Sequence, residues 1–192
     1  MESVARRRVR GSLVVVALVC LLIPTSICQD KTEIHTKEFH DPTLAPGKPV
    51  VLIFVRTDCP ISNRYAPTIQ SLANTHAGRV TFWLVYPSKS DTEQVIAAQM
   101  AEYGYKLPWT RDPDRALVSK AKATITPEAA LFDASGRLRY HGRIDDLYVS
   151  FGSARQKATS HDLDDAVKAV LAGKPVSQDA TEAVGCYISD LD

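Results

Sequence analysis

The sequence predicts one α/β domain whose sheet carries helices on both faces. Three observations support this. The chain has 192 residues, 45% of them apolar, enough for one ordinary core but not comfortably for two. Residues 50–55, VVLIFV, are β-branched or apolar at every position, the pattern of a strand covered on both sides. Strand-type runs then alternate with stretches of helical periodicity in the order β-α-β-α-(α)-β-β, followed by a last helix.

The elements follow in order. Residues 29–44 are polar and run into the breakers DPTLAPGKP, an extended lead-in to a domain spanning 45–175. After the 50–55 strand and Cys59, Ile61, Tyr65, Ile69, Leu72 and Ala73 recur on one helical face. That helix ends near His76, ahead of Gly78, with Pro67 kinking it. RVTFWLVYP, 79–87, reads as a second strand. Asp91 is placed to cap a helix through Tyr103 that buries Val95, Ile96, Met100 and Tyr103.

KLPWTRDPD reads as irregular, and residues 115–123 as a short helix. EAALFDASGRLRYHGRI is two alternating runs joined by a turn at Asp133–Gly136, a hairpin signal. Residues 161–172 form the last helix, burying Leu163, Val167, Val170 and Leu171, with Gly173 beyond its end. A polar tail, 176–192, carries Cys186.

The N-terminus has a different character. A basic MESVARRRVRG precedes SLVVVALVCLLI, an apolar run short of the roughly 20 residues a membrane span needs, then Pro24, Thr25 and Ser26. Residues 1–28 therefore read as a signal peptide, cut after Cys28, and the protein as exported to a periplasmic or extracellular compartment. Membrane attachment follows only if this segment is retained or Cys28 is lipidated.

Cleavage removes four arginines and one glutamate from 23 basic and 22 acidic residues, leaving 19 and 21, a net charge of −2. Without a basic cluster, the charge gives no reason to expect a nucleic-acid partner. Cys20 and Cys28 leave too, so two thiols remain, Cys59 and Cys186, in a compartment where disulfides persist.

Cys59 stands where a strand turns into a helix. Unpaired amides and the helix dipole at such a position favour the thiolate, the nucleophile of disulfide and peroxide chemistry. Pro60 is tolerated in the first turn because its missing N–H has no helical partner to lose. Ser62 leaves a hydroxyl one turn from the sulfur, while Asp58 opposes the effect.

With VVLIFV leading into TDCPIS, Pro67 eight residues after Cys59, and Ile125-Thr126-Pro127 opening a later strand, residues 45–172 resemble the thioredoxin-fold redoxins. The likeness is to the alkyl hydroperoxide reductase and thiol-specific antioxidant group. It implies a thioredoxin-like three-layer sandwich, a central mixed sheet flanked by helices, and a cis Thr126–Pro127 bond beside the reactive sulfur. The segments GRIDDLYVSFG and TEAVGCYI are similar to exported bacterial redoxin-domain proteins that keep a cysteine near the C-terminus.

Two departures qualify the activity. Ser62 stands where C-x-x-C proteins carry a second thiol. In the peroxidase pattern P-x-x-x-T-x-x-C, Thr57 is two rather than three residues before Cys59, and Ile53 stands where proline would precede Thr57.

The resemblance thus implies a thiol-dependent oxidoreductase with Cys59 as nucleophile and Cys186, carried by a flexible tail, as resolving thiol. Thr57, Pro60, Ser62, Thr126, Pro127 and Arg143 are the supporting residues. Substrates would be disulfides or hydroperoxides, and a thiol-containing protein the reductant. No organic cofactor is required. The alternative is a non-catalytic binding domain stapled by a Cys59–Cys186 disulfide.

His35, His40, His76, His141 and His161 show no ligand spacing, so no metal site is expected, and His161 reads as a helix-start residue. Trp83 reads as core and Trp109 as a groove residue. Asp145 and Asp146 read as a solvated loop.

Overall fold

Strand β1 (Val50–Phe54) is buried at all five positions, as a both-faces-apolar run requires. The computed structural model describes residues 41–44 and 47–188, so the expected signal segment and Cys28 lie outside the described residues. Parallel to β1 runs β2 (Thr81–Tyr86), itself parallel to β3 (Trp109–Arg111). On its other side β1 pairs antiparallel with β5 (Glu128–Phe132), which pairs antiparallel with β6 (Leu138–Gly142). The resulting mixed sheet has the order β3-β2-β1-β5-β6. The two-residue strand β4 (Ile125–Thr126) precedes β5 and lies outside this sheet.

Alternation along β1 builds two cores. Val51, Ile53 and Val55 pack with Ile61, Tyr65 and Ile69 of α1 (Pro60–Thr75), Ile96 and Met100 of α2 (Glu93–Tyr103), and Leu163 and Val167 of α4 (Asp162–Leu171). Val50, Leu52 and Phe54 face the other way, onto Leu117, Val118 and Ala121 of α3 (Ala116–Ala121). This is the three-layer arrangement: among the described residues, three helices cover one face and one the other.

The hairpin turn at Asp133–Gly136 forms as expected. Asp133 Oδ1 accepts the Ser135 and Arg137 N–H groups, and Gly136 takes a positive φ. Bonds to Ser135 and Arg137 hold the Asp133 carboxyl down to about 2, against burial that would raise it.

Several expectations are corrected. Thr92, not Asp91, caps α2, accepting from Val95 N–H, because Asp91 turns inward to Thr57. Val95 and Tyr103 are exposed, and α2 buries Gln99 beside Ile96 and Met100. KLPWTRDPD contains the edge strand β3, since Pro108 and Pro113 flank the paired residues rather than interrupt them. Trp109 is core rather than groove, edge-on to Tyr86. Asp145 and Asp146 are buried, not solvated: Tyr65 OH donates to Asp145 at 2.6 Å, and Asp146 accepts from Thr159 and Ser160.

The lead-in ends in structure. Pro42–Leu44 is a 3₁₀ turn, and Asp41 pairs with Lys120 of α3 at 2.9 Å.

The C-terminal segment is not a free tail either. Ala180 bridges His141, Thr181 Oγ1 bonds Tyr140 OH and Arg143 N–H, and Ile188 is buried in the α3-side core. Between them β9 (Cys186–Tyr187) pairs antiparallel with β4, in register Thr126↔Cys186. Two glycines allow this docking. A Cβ at Gly142 would collide with Thr181, and one at Gly185 with the Thr126 carbonyl.

Among the described residues, no helix is long and apolar enough to cross a membrane.

Candidate active site

Cys59 is the N-cap of α1, in extended backbone, with its sulfur 3.5 Å from the Ser62 N–H. The local chain explains this position: β1 ends at Phe54, and Pro60 at the first helical position admits no earlier start. Pro67 lies within α1, as the sequence predicts. The Thr126–Pro127 bond is cis, and Cys59 Sγ lies 3.3 Å from Thr126 O.

Pairing of β9 with β4 brings Cys186 over this point, and its Sγ lies 3.2 Å from Cys59 Sγ. Both cysteines are free thiols. Cys59 has no exposed surface, while Cys186 is half-buried and forms its outer cover.

The two sulfurs are electrostatically unequal. Burial alone would raise the Cys59 thiol. The Ser62 hydroxyl and amide, the Cys186 S–H and the Ile61 amide outweigh it and set its pKa below the ordinary value. Ser62 Oγ is buried and without a partner of ordinary hydrogen-bond geometry, so its proton remains available to the sulfur. Cys186 is pushed up to about 11 by burial and by donating to Cys59. Arg56 lowers it and Asp58 raises it; these two are paired to each other at 2.9 Å. Cys59 is thus the more readily ionised of the two sulfurs and Cys186 the one that keeps its proton to higher pH, the inequality that thiol exchange needs.

Beneath Cys59 the loop 56–58 is tied down by Gln99 and Asn63, two polar residues that sequence reasoning missed because their partners are not set by any local pattern. Gln99 Nε2 donates to Arg56 O at 3.1 Å and Asn63 Oδ1 at 2.5 Å, and its Oε1 accepts from Tyr86 OH at 2.8 Å. Asn63 Nδ2 donates to Thr57 O at 3.1 Å.

A family model described as Redoxin matches residues 23–150 of the chain. The chain belongs to the redoxin family. Two solved structures of similar fold are a hypothetical protein from Sinorhizobium meliloti 1021 and an uncharacterized conserved protein from Geobacillus kaustophilus. The first is 27% identical with a TM-score of 0.65, covering 76% of this chain and 80% of that one. The second is 23% identical with a TM-score of 0.64, covering 75% and 78%. A thioredoxin-like protein in the oxidized form is 21% identical with a TM-score of 0.52, covering 68% and 82%. No curated protein matches the sequence.

In this redoxin the structure brings Cys59, Pro60, Ser62, Thr126, Pro127 and Cys186 together. Thr57 and Arg143 are engaged elsewhere. Thr57 Oγ1 donates to Asp91 Oδ1 at 2.5 Å rather than facing the sulfur. Arg143 binds Asp162 through two nitrogens, at 2.8 and 3.1 Å, and Ser160 at 3.3 Å. Among the described residues no group of three or more His, Cys, Asp or Glu is arranged to hold a metal.

Proposed function

We propose that this redoxin is an exported thiol–disulfide oxidoreductase in which Cys59 attacks and Cys186 resolves. The observation that carries the reading is the 3.2 Å approach of two free thiols whose proton affinities are driven in opposite directions. Export is supported by the basic and apolar N-terminal sequence.

The chemistry balances without a cofactor. Cys59 thiolate attacks one sulfur of a substrate disulfide, forms a mixed disulfide and expels the other sulfur as a thiolate. Cys186, deprotonated as it attacks, displaces the second substrate thiol from Cys59. The substrate gains two electrons and two protons, and the Cys59–Cys186 pair closes as a disulfide. A thiol-containing reductant protein returns the pair to the dithiol. Because Cys186 covers Cys59, its side chain turns aside to admit substrate, then returns as resolving thiol.

Complete burial of Cys59 favours a second reading, a binding domain in which the pair is a structural staple. One experiment separates them. Reduced protein is mixed with 2-hydroxyethyl disulfide, and thiol loss is followed by mass spectrometry. The catalytic reading expects rapid closure of the pair in the wild type, none in Cys59→Ser, and a trapped mixed disulfide on Cys59 in Cys186→Ser. Closure only over hours, or a potential below about −300 mV, establishes the staple.

A further inference from the structure

Beside Cys186 lies a cavity of about 700 Å³, within the range of ligand-binding clefts. We propose that it receives an apolar side chain, with a neighbouring carboxylate, from an extended polypeptide disulfide substrate. This rests on the thiol–disulfide reading above and adds the substrate class to it.

The apolar part follows from where exposed hydrophobic surface is concentrated. The large exposed apolar side chains among the described residues are Val95, Tyr103, Val149, Phe151 and Tyr187, and the last three line this cavity, at 58%, 72% and 58% exposure. Val149 and Phe151 sit on a two-stranded ribbon, β7 (Tyr148–Ser150) and β8 (Ser153–Ala154), turned at Gly152 and paired with no other strand among the described residues. The core does not require these side chains, since they contribute no packing to it. Clustered exposed aromatic and aliphatic groups beside a concave surface mark a binding face.

The carboxylate follows from the guanidiniums rather than from net charge. Arg56, Arg143 and Arg155 line the cavity with Asp146 and Glu182, while Asp58 and Asp162 pair Arg56 and Arg143 from outside that lining. Arg155 bonds Asp146 through Nε, yet its side chain remains 45% exposed, and Arg143 remains 33% exposed beyond its pair with Asp162. A guanidinium held in place by one carboxylate and open on its other edge is preorganised for a second. The occupant is polypeptide rather than a small disulfide because the cavity presents an aromatic rim as well as cations, and Cys186 lies in the same wall.

Much of this wall lies outside the family match. Phe151, Arg155 and the 182–187 segment fall beyond residues 23–150, which match the redoxin model.

The test compares two synthetic peptides closed by a disulfide and identical except beside their cysteines, one carrying Leu and Glu, the other Ser and Ser. Single-turnover oxidation of the reduced wild-type protein is expected to be at least ten-fold faster with the Leu/Glu peptide, and a Val149→Ser, Phe151→Ser double variant to lose that ratio. Equal rates in the wild type, or an undiminished ratio in the variant, overturn the proposal. A second measurement is independent of thiol chemistry: the Leu/Glu peptide with both cysteines replaced by Ser, followed by fluorescence anisotropy, is expected to bind the wild type at least five-fold more tightly than the variant. Equal affinity overturns the docking site. Failure of 2-hydroxyethyl disulfide to oxidise the pair, with peptide binding intact, instead overturns the oxidoreductase reading and leaves the docking site standing.

Discussion

Cys186 Sγ lies 3.2 Å from Cys59 Sγ although 127 positions separate them in the chain. That contact sets the pH behaviour of both. Cys59 is lowered from 9.0, so the stability it contributes is present above the unfolded value and is lost as pH falls through its folded pKa. Cys186 is raised from 9.0 to about 11, so its contribution is present below 9 and is lost between 9 and 11. On these two groups the dithiol protein is most stable near pH 9. Iodoacetamide labelling of the reduced chain is expected to give a midpoint below 9 for Cys59 and one near 11 for Cys186. In Cys186→Ala, loss of the S–H donor is expected to move the Cys59 midpoint upward while making the sulfur more accessible. An unmoved midpoint refutes the coupling.

Gly185 makes the approach of the sulfurs sterically possible. A methyl group there meets the Thr126 carbonyl, on the residue that pairs with Cys186. Gly185→Ala is expected to displace β9, to cost about 1–3 kcal/mol as an overpacked contact, and to slow closure of the Cys59–Cys186 disulfide at least ten-fold. Quenched-flow alkylation reads the rate and urea unfolding the stability. Wild-type closure in this variant removes β9 docking from the mechanism.

Local signals explain why so much of the fold was legible. β1 declares itself through an unbroken β-branched and apolar run, α1 through a 3.6 pattern, the β5–β6 turn through Asp133 and Gly136, and the strand-to-helix position of Cys59 through the Pro that follows it. What escaped depends on partners far away in the chain. Asp91 looks like a cap until Thr57, 34 residues earlier, takes its carboxylate. Asp145 and Asp146 look solvated until Tyr65 and Thr159 are brought to them. Residues 176–185 look like a loose tail because their anchors are backbone pairing to His141, the Thr181 hydroxyl, the isolated Val176 and Val184, and close approach at Gly142 and Gly185, none of which makes a periodic hydrophobic pattern.

Gln99 is a buried amide whose removal tests whether the loop under Cys59 is held from α2. Gln99→Leu is similar in size but leaves Tyr86 OH, Arg56 O and Asn63 Oδ1 without their contacts to the amide. A loss of at least about 2 kcal/mol is expected, since each orphaned buried group costs about 1–3 kcal/mol. The Cys59 alkylation rate at fixed pH is also expected to change, because residues 56–58 lose their anchor. Destabilisation with an unaltered rate would confine Gln99 to a packing role.

Thr57 and Asp91 give the last prediction, one that separates a structural threonine from a peroxide-binding one. Asp91 is 1% exposed, its Oδ2 has no hydrogen-bond partner, and burial raises its pKa while both Thr57 bonds lower it. A carboxyl raised in the folded state contributes stability below its unfolded value that is lost as pH rises. Thr57→Val removes the hydroxyl donor, so its cost is expected to be about 1–3 kcal/mol at pH 7 and smaller at pH 4, where the carboxyl takes up a proton. Asp91→Asn keeps an oxygen facing Thr57 and removes a group whose ionisation burial opposes, so it is expected to be at least as stable as the wild type at pH 7. Because the Thr57 hydroxyl is committed to Asp91, hydroperoxide turnover is expected to be at least ten-fold slower than disulfide exchange in the wild type. Peroxide turnover that is fast in the wild type and abolished in Thr57→Val, with stability unchanged, would assign Thr57 to the peroxide instead.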